Sequence, residues 1–303
     1  MKGNVWFVGC IAAAGLLSFL LGLCLEERAF AVEGVRTYKV GEFDISLLSE
    51  GQSDGNNSNL IGADEEMMKK YVPNGTYPTA VNTFLIRTPD RLVLVDTGFG
   101  RELFKNMKSL GVEAEQIDAV LLTHMHGDHI GGLLVDGKAA FPKAKLYLAQ
   151  QEHDYWTNEE IMKTFPENRQ GGFKNSQAAI AAYSAAVELF SPTGLGAGSE
   201  LLPGVTPAAA FGHTPGHTVY MVESGTEKLL IWGDLTHAMA IQMPVPEVAM
   251  TYDVDPEMAV ASRLAVLKYV SENKIPVAGM HIPHPAVGSV APSNGGYAFE
   301  PLP

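Results

Sequence analysis

"LLTHMHGDHIGG" occupies residues 121–132, and three histidines and an aspartate (His124, His126, Asp128, His129) fall within six of those positions. The cluster begins where the apolar run "AVLLT" (119–123) ends, a run that reads as a buried strand. In an extended chain, residues two apart project to the same side, so His124 and His126 can grip one ion together. Gly127 permits a sharp change of direction that sends Asp128 and His129 to a different point. Gly131 and Gly132 allow a close backbone approach or the start of a helix. The pattern favours two adjacent metal sites over one.

Each ion needs further donors, since zinc usually takes four ligands. Three candidates follow apolar runs: His213 in "FGHTPGH" (211–217), Asp234 in "LIWGD" (230–234) and His281 in "VAGMHIPHP" (277–285). The Asp234 carboxylate has two oxygens and could bridge two ions. His153 and His284 read as structural histidines. Imidazole plus carboxylate suits zinc, iron, manganese or cobalt, without choosing among them.

The chain has 303 residues, enough for a large core and, on length alone, about two domains of ~150 residues. Its net charge of -13 repels phosphate backbones and argues against a nucleic-acid partner. Lys2, the apolar or small-residue run 5–25 and "AFA" (29–31) read as an export leader cleaved before Val32. The expectation is a protein in the periplasm or outside the cell, with no stable membrane association. The alternative is a retained anchor, because 21 residues can span a bilayer. Cys10 and Cys24 both lie in this leader, so the chain from 32 to 303 holds neither a disulfide nor a thiolate ligand.

Further apolar runs at 92–96, 145–149, 219–223 and 229–234 read as buried strands. The stretch 175–190 is alanine-rich and helix-prone. A helix is predicted over 255–274, with Asp255 as N-cap, Pro256 at the first helical position, and Val260, Leu264, Leu267 and Val270 on one face. Strands alternating with helices argue for an α/β architecture. The stretches 50–80 and 283–303 are predicted to be long loops.

"THMHGDH" (123–129) matches the H-x-H-x-D-H signature, and the chain resembles the metallo-β-lactamase superfamily. "VDTG" (95–98), "GHTPGH" (212–217), "WGD" (232–234) and His281 match its other motifs in the expected order. The resemblance implies an αβ/βα sandwich, two facing mixed sheets with helices outside, as one domain over 32–303. It implies that His124, His126 and His213 hold one metal, that Asp128, His129 and His281 hold the other, and that Asp234 bridges. Asp96 would orient a ligand histidine, and His217 would support the same loop.

Two such metals could hold a hydroxide between them and polarise the bond it attacks, which implies hydrolysis of an ester-like electrophile. Asp128 would shuttle the proton to the leaving group. Within the superfamily the chain is similar to methyl parathion hydrolase and its exported relatives, through the leader, "VNTFLIRT" (81–88), "GDLTH" (233–237) and "AGMHIPHP" (278–285). That likeness implies an organophosphate triester or aryl ester substrate, a homodimer, and a pocket walled by Phe99, Trp156 and Phe173. The alternative is a lactonase of the acyl-homoserine type. Related lactonases carry a tyrosine three residues after the bridging aspartate, where this chain has His237, which could donate a hydrogen bond to a substrate carbonyl. A mono-iron persulfide dioxygenase and a thioester hydrolase are further alternatives.

Overall fold

A computed structural model describes residues 34–302; the predicted leader, 1–31, lies outside the described residues. The runs expected to be strands are strands. Leu92–Val95, Ala119–Leu121 and Lys145–Ala149 pair in parallel, and Val187–Phe190 joins them in parallel at one edge. On the other side Val35–Val40, Phe43–Asn56 and Thr76–Arg87 complete a mixed sheet of seven strands. A second mixed sheet of six strands runs from Val205–Ala209 through Thr218–Ser224, Glu227–Ile231 and Val277–Ala278 to the hairpin Val287–Ser293 and Gly296–Pro301.

Alternation along the strands divides the core. Phe84, Ile86, Val93 and Val95 face Tyr220, Val222, Leu229 and Ile231 between the sheets. Leu85 and Leu94, one position away, turn to the opposite face and pack under Leu103, Met107, Trp156 and Phe173 of the outer helices. Beyond the second sheet, Val266, Leu267 and Val270 anchor the helix Pro256–Asn273. The fold is therefore two mixed sheets with helices outside, as the resemblance implied. Among the described residues no helix is long and apolar enough to cross a membrane.

Three local expectations are corrected. The stretch 50–80 is not all loop: its ends, 50–56 and 76–80, are the outer part of a long hairpin, Phe43–Asn56 against Thr76–Arg87, with the helix Glu65–Tyr71 carried between the strands. Glycine and asparagine are poor strand formers, but here Gly55 is required, because a Cβ would sit 2.2 Å from the Tyr77 ring. The tail expected as a loop over 283–303 instead holds the hairpin Val287–Ser293 and Gly296–Pro301, closed by Asn294 and Gly295, both at positive φ. The alanine-rich stretch is helical only over Gly171–Ala182, and its β-branched and aromatic end becomes the edge strand Val187–Phe190. The helix from Pro256 starts as predicted, with Asp255 Oδ1 accepting from the Met258 amide at 3.0 Å. Its buried face is set by Ala259, Arg263, Val266, Leu267 and Val270, while Val260 and Leu264 are only half-buried.

Candidate metal centre

The ligand candidates sit on the segments that leave the carboxyl ends of core strands. Asp96 follows Leu92–Val95, His124 to His129 follow Ala119–Leu121, His213 follows Val205–Ala209, Asp234 follows Glu227–Ile231, and His281 follows Val277–Ala278. Loops at one end of an α/β sheet converge on a common crevice. Two close approaches make this convergence possible. A Cβ on Gly131 would lie 2.6 Å from Phe99 Cα, and one on Gly233 would lie 2.5 Å from His217 Nε2. The turn after His126 is made by starting the short helix Gly127–Ile130, and Gly127 itself meets no steric demand.

His124, His126, His213 and Asp234 form one group whose ligand atoms all lie within 4.8 Å of one another. His124 Nε2, His126 Nδ1 and His213 Nε2 stand 2.9, 3.0 and 3.2 Å apart. Four ligands at zinc distances put neighbouring donors about 3.3 Å apart, so these nitrogens are nearly gathered. Asp128, His129 and His281 form a second group, and Asp234, His237 and His281 a third. Asp234 belongs to two of them: Oδ2 lies 3.2 Å from His213 Nε2 and 3.0 Å from His281 Nε2, while Oδ1 lies 3.1 Å from His129 Nε2. His129 Nε2 and Asp234 Oδ1 are buried, and neither makes a hydrogen bond among the described residues, despite that proximity. Two close, buried polar atoms whose geometry makes no hydrogen bond are what a shared cation would satisfy.

Supporting groups fix the rings. His129 Nδ1 meets Asp96 Oδ2 at 2.7 Å, and Asp96 accepts from the Thr123 amide and hydroxyl. Asp96 sits at φ +62, a conformation costly for a non-glycine and held here by those bonds. His281 Nδ1 donates to the Ala80 carbonyl at 2.7 Å. His217 donates through Nδ1 to the Ala210 carbonyl and accepts the Asp234 amide on Nε2, both at 2.9 Å. It therefore holds the segment that carries the shared carboxylate.

Two carboxylates were missed in the sequence. Asp253 Oδ1 holds His213 Nδ1 at 2.7 Å. Glu152, buried, accepts from the Met125 and Gly216 amides, the Thr214 hydroxyl and the Trp156 indole, so it ties the His124–His126 segment to the His213–His217 segment. Neither falls in a motif, and only their place in the fold reveals them.

Electrostatics follow from the packing. Burial opposes charge on Asp234, but His129, His281 and His124 around it hold its carboxyl well below the usual range. Burial, with His213 beside it, lowers His126 to about 3. Burial also opposes charge on His213, yet Asp234 and Asp253 raise it to about 9.

The sequence-predicted site residues divide in two. His124, His126, Asp128, His129, His213, Asp234 and His281 converge, with Asp96 and His217 behind them. His237 converges too, at 2.8 Å from Asp234 Oδ2 through Nε2. A carboxylate only accepts, so Nε2 donates, and burial lowers the ring to about 4. Its buried Nδ1, without a partner among the described residues, is an acceptor, so the expected donation to a substrate carbonyl does not fit this arrangement. The aromatic wall is corrected as well. Phe99 lines a cavity of about 510 Å³ at the site. Trp156 and Phe173 are 5% and 3% exposed and lie in the core, with Trp156 edge-on behind His126 at 5.6 Å. The cavity instead takes Tyr77 and Tyr252 as its other aromatics.

Residues 76–273 match the model of the metallo-β-lactamase superfamily, and the chain belongs to that family. Among solved structures, it superposes on the hydrolase AbOPH of the β-lactamase superfamily with a TM-score of 0.80 at 29% identity, over 89% of this chain and 97% of that one. It superposes on AidC, a dizinc quorum-quenching lactonase with the product N-hexanoyl-L-homoserine bound, with a TM-score of 0.81 at 28% identity, over 89% and 98%. Among curated proteins, the anti-Pycsar protein Apyc1 of Paenibacillus sp. (strain J14) is 36% identical over 74 residues, 24% of this chain. That alignment spans only 26% of the Paenibacillus protein's length. The lactamase-like protein vrtG of Penicillium aethiopicum is 27% identical over 172 residues, 55% of this chain and 44% of that protein.

Proposed function

We propose that the chain is a binuclear metal-dependent hydrolase of ester-like substrates. The observation that carries this reading is the buried pair His129 Nε2 and Asp234 Oδ1, unbonded among the described residues and drawn from two adjoining groups of ligand residues. The donor set fits: His124, His126 and His213 would hold one ion, Asp128, His129 and His281 the other, with Asp234 between them. Two bound divalent ions would polarise the electrophile and lower the pKa of a water nucleophile. Zinc is the first candidate for both, because AidC is a dizinc enzyme.

The chain's own residues supply the rest. Asp128 lines the cavity with its side chain 25% exposed, so its carboxylate is placed to take a proton and return it to a leaving oxygen. His237 orients Asp234 through Nε2. Phe99, Val81 and Tyr252 give the cavity an apolar wall for the part of the substrate away from the reacting bond. A lactone or other carboxylic ester is the class that the likeness to AidC supports. The motif likeness to methyl parathion hydrolase keeps aryl esters and phosphotriesters in the test. Export with Val32 as the first residue is part of the same proposal.

The test is a hydrolysis panel on metal-loaded protein: lactones of several chain lengths, aryl acetates, a phosphotriester and a β-lactam. Elemental analysis of the same preparation should give two ions per chain. Turnover of none of the esters, or saturation at one ion, would overturn the reading.

A further inference from the structure

The loop that carries Phe99 into the cavity wall is held from both sides. On one side it is stitched to the ligand segment: the Thr97 amide donates to the His129 carbonyl at 2.8 Å, and the Gly131 amide to the Gly98 carbonyl at 2.9 Å. On the other side stands Glu50. Ser49 pairs with Asn82 and Gly51 with Val81, so Glu50 is the extra residue of a β-bulge in the strand Phe43–Asn56. A bulge breaks the alternation of a strand and re-aims its side chains. Here Glu50 Oε2 accepts from the Phe99 amide at 3.0 Å, and Oε1 from the Arg101 amide at 2.8 Å. Glycine at position 98 permits this fit, since it sits at φ +60 and a Cβ would lie 2.8 Å from Glu50 Oε1. Phe99 lines the cavity and is 43% exposed, so burial does not fix its place. The Arg101 guanidinium lies over that ring, 4.6 Å from its centroid, and Arg101 is not among the described residues lining the cavity. One face of the ring is therefore taken, and the other is left for a ligand.

We propose that Glu50 is a positioning residue that sets specificity: by holding the Phe99 and Arg101 amides it fixes Phe99 as a rigid apolar wall, and so favours esters or lactones whose acyl chain is long enough to reach that wall. The proposal rests on the hydrolase reading and narrows it to a substrate class. Hydrogen bonds from amides to a carboxylate are roughly twice as strong as those between neutral groups. A ring fixed before the substrate arrives loses less freedom on binding than a ring on a loose loop. Without the Glu50 carboxylate the loop would keep its bonds to the ligand segment at Thr97 and Gly98. It would lose both bonds at the residues that carry the ring and its guanidinium cover. Glu50 belongs to none of the groups of ligand atoms, so the effect should fall on the acyl chain and not on ion binding.

The test uses p-nitrophenyl acetate, butanoate and hexanoate with the metal-loaded protein. In the unmodified protein KM should fall as the chain lengthens. Glu50→Gln offers one acceptor oxygen to two donors. It should lower the hexanoate-to-acetate ratio of kcat/KM by about tenfold, what one to two buried methylene groups contribute, with the change in KM. Glu50→Asp keeps the charge but draws it back, and should give a smaller loss in the same direction; it replaces Glu50→Gln if thermal unfolding shows that variant to be misfolded. Phe99→Ala should abolish the preference. Adding Glu50→Gln to Phe99→Ala should change the ratio no further, because Glu50 acts through Phe99. Calorimetric binding of hydroxamates of the same three chain lengths, which ligate metal and contain no ester, reads the chain preference apart from turnover. If no ester is cleaved, the hydrolase reading fails, and the hydroxamates decide the role of Glu50. The proposal fails if the unmodified protein shows no chain preference, if the preference survives both Glu50 variants, if all three chains lose equally, or if Glu50→Gln lowers the ratio further in the Phe99→Ala background.

Discussion

The two halves of the proposed metal centre are built to different tolerances. In the half made by His124, His126 and His213, the three nitrogens stand 2.9–3.2 Å apart, with Asp253 locking His213 and Trp156 packed behind His126. In the half made by Asp128, His129 and His281, both histidines are fixed, by Asp96 and by the Ala80 carbonyl. Its carboxylate is not. Asp128 stands 3.8 Å from His129 Nε2 and 3.5 Å from His281 Nε2, its side chain is a quarter exposed, and no hydrogen bond among the described residues holds it. A ligand set gathered before binding loses less conformational freedom when the ion arrives. The first half should therefore fill first on titration and empty last under a chelator, while the open carboxylate of the second half remains free to move protons.

The largest effect that bears on this difference is expected at Asp234, which in the proposed centre would serve both halves. Asp234→Ala should abolish hydrolysis, lower metal content at both positions and reduce thermal stability, since ion binding to the folded state adds to folding free energy. Two ions with near-native turnover in that variant would show that the halves do not share a ligand. Asp128→Asn should separate them. We expect about 10²–10⁴-fold slower turnover, the usual range for a lost acid–base group, with one ion still held tightly. Loss of both ions together would mean that the halves fill as one unit. Asp253→Ala acts on the other half. Groups that orient a metal-ligating histidine are commonly worth about 10–100-fold in metal affinity, and the weakened ion should be the one that the unmodified protein releases last.

The convergence of these halves was legible in the sequence because each ligand closes an apolar run that had to be a core strand. The ends of such strands meet, and the H-x-H spacing already placed His124 and His126 on one side. The supporting groups were not legible. Asp253 and Glu152 act through hydrogen bonds to residues 40 and about 60 positions away, and no local periodicity encodes such a contact. Trp156 and Phe173 were expected on the cavity wall, but a ring packed behind a ligand has the same sequence neighbourhood as one in front. The hairpin Val287–Pro301 does carry a sequence signal: Asn294–Gly295 between two stretches containing alternating apolar residues is a hairpin turn. The strands within 50–80 had almost none, since their glycines and asparagines argue for loop and only the pairing with Thr76–Arg87 overrides them.

The smallest expected effect is at Glu152, and it tests whether the tighter half is tight because its loops are tied together. Oε1 accepts from the Met125 amide at 2.9 Å and the Trp156 indole at 2.6 Å; Oε2 accepts from the Thr214 hydroxyl at 2.7 Å and the Gly216 amide at 2.9 Å. Glu152→Gln keeps the shape and replaces one oxygen with a donor. The NH2 group would turn toward Thr214, whose hydroxyl can accept, because both partners of Oε1 can only donate. The Gly216 amide would then lose its acceptor, at a cost of about 1–3 kcal/mol for a buried donor left unpaired. Denaturant unfolding should show that loss. The His213–His217 segment would loosen against the His124–His126 segment, so affinity at the tighter half should fall by less than the 10–100-fold expected for removing a ligand's own support. Affinity at the half containing Asp128 should not change. A stability loss with both affinities intact would mean that the three histidines are held by their own hydrogen bonds alone, and that the tie through Glu152 serves the fold and not the metal.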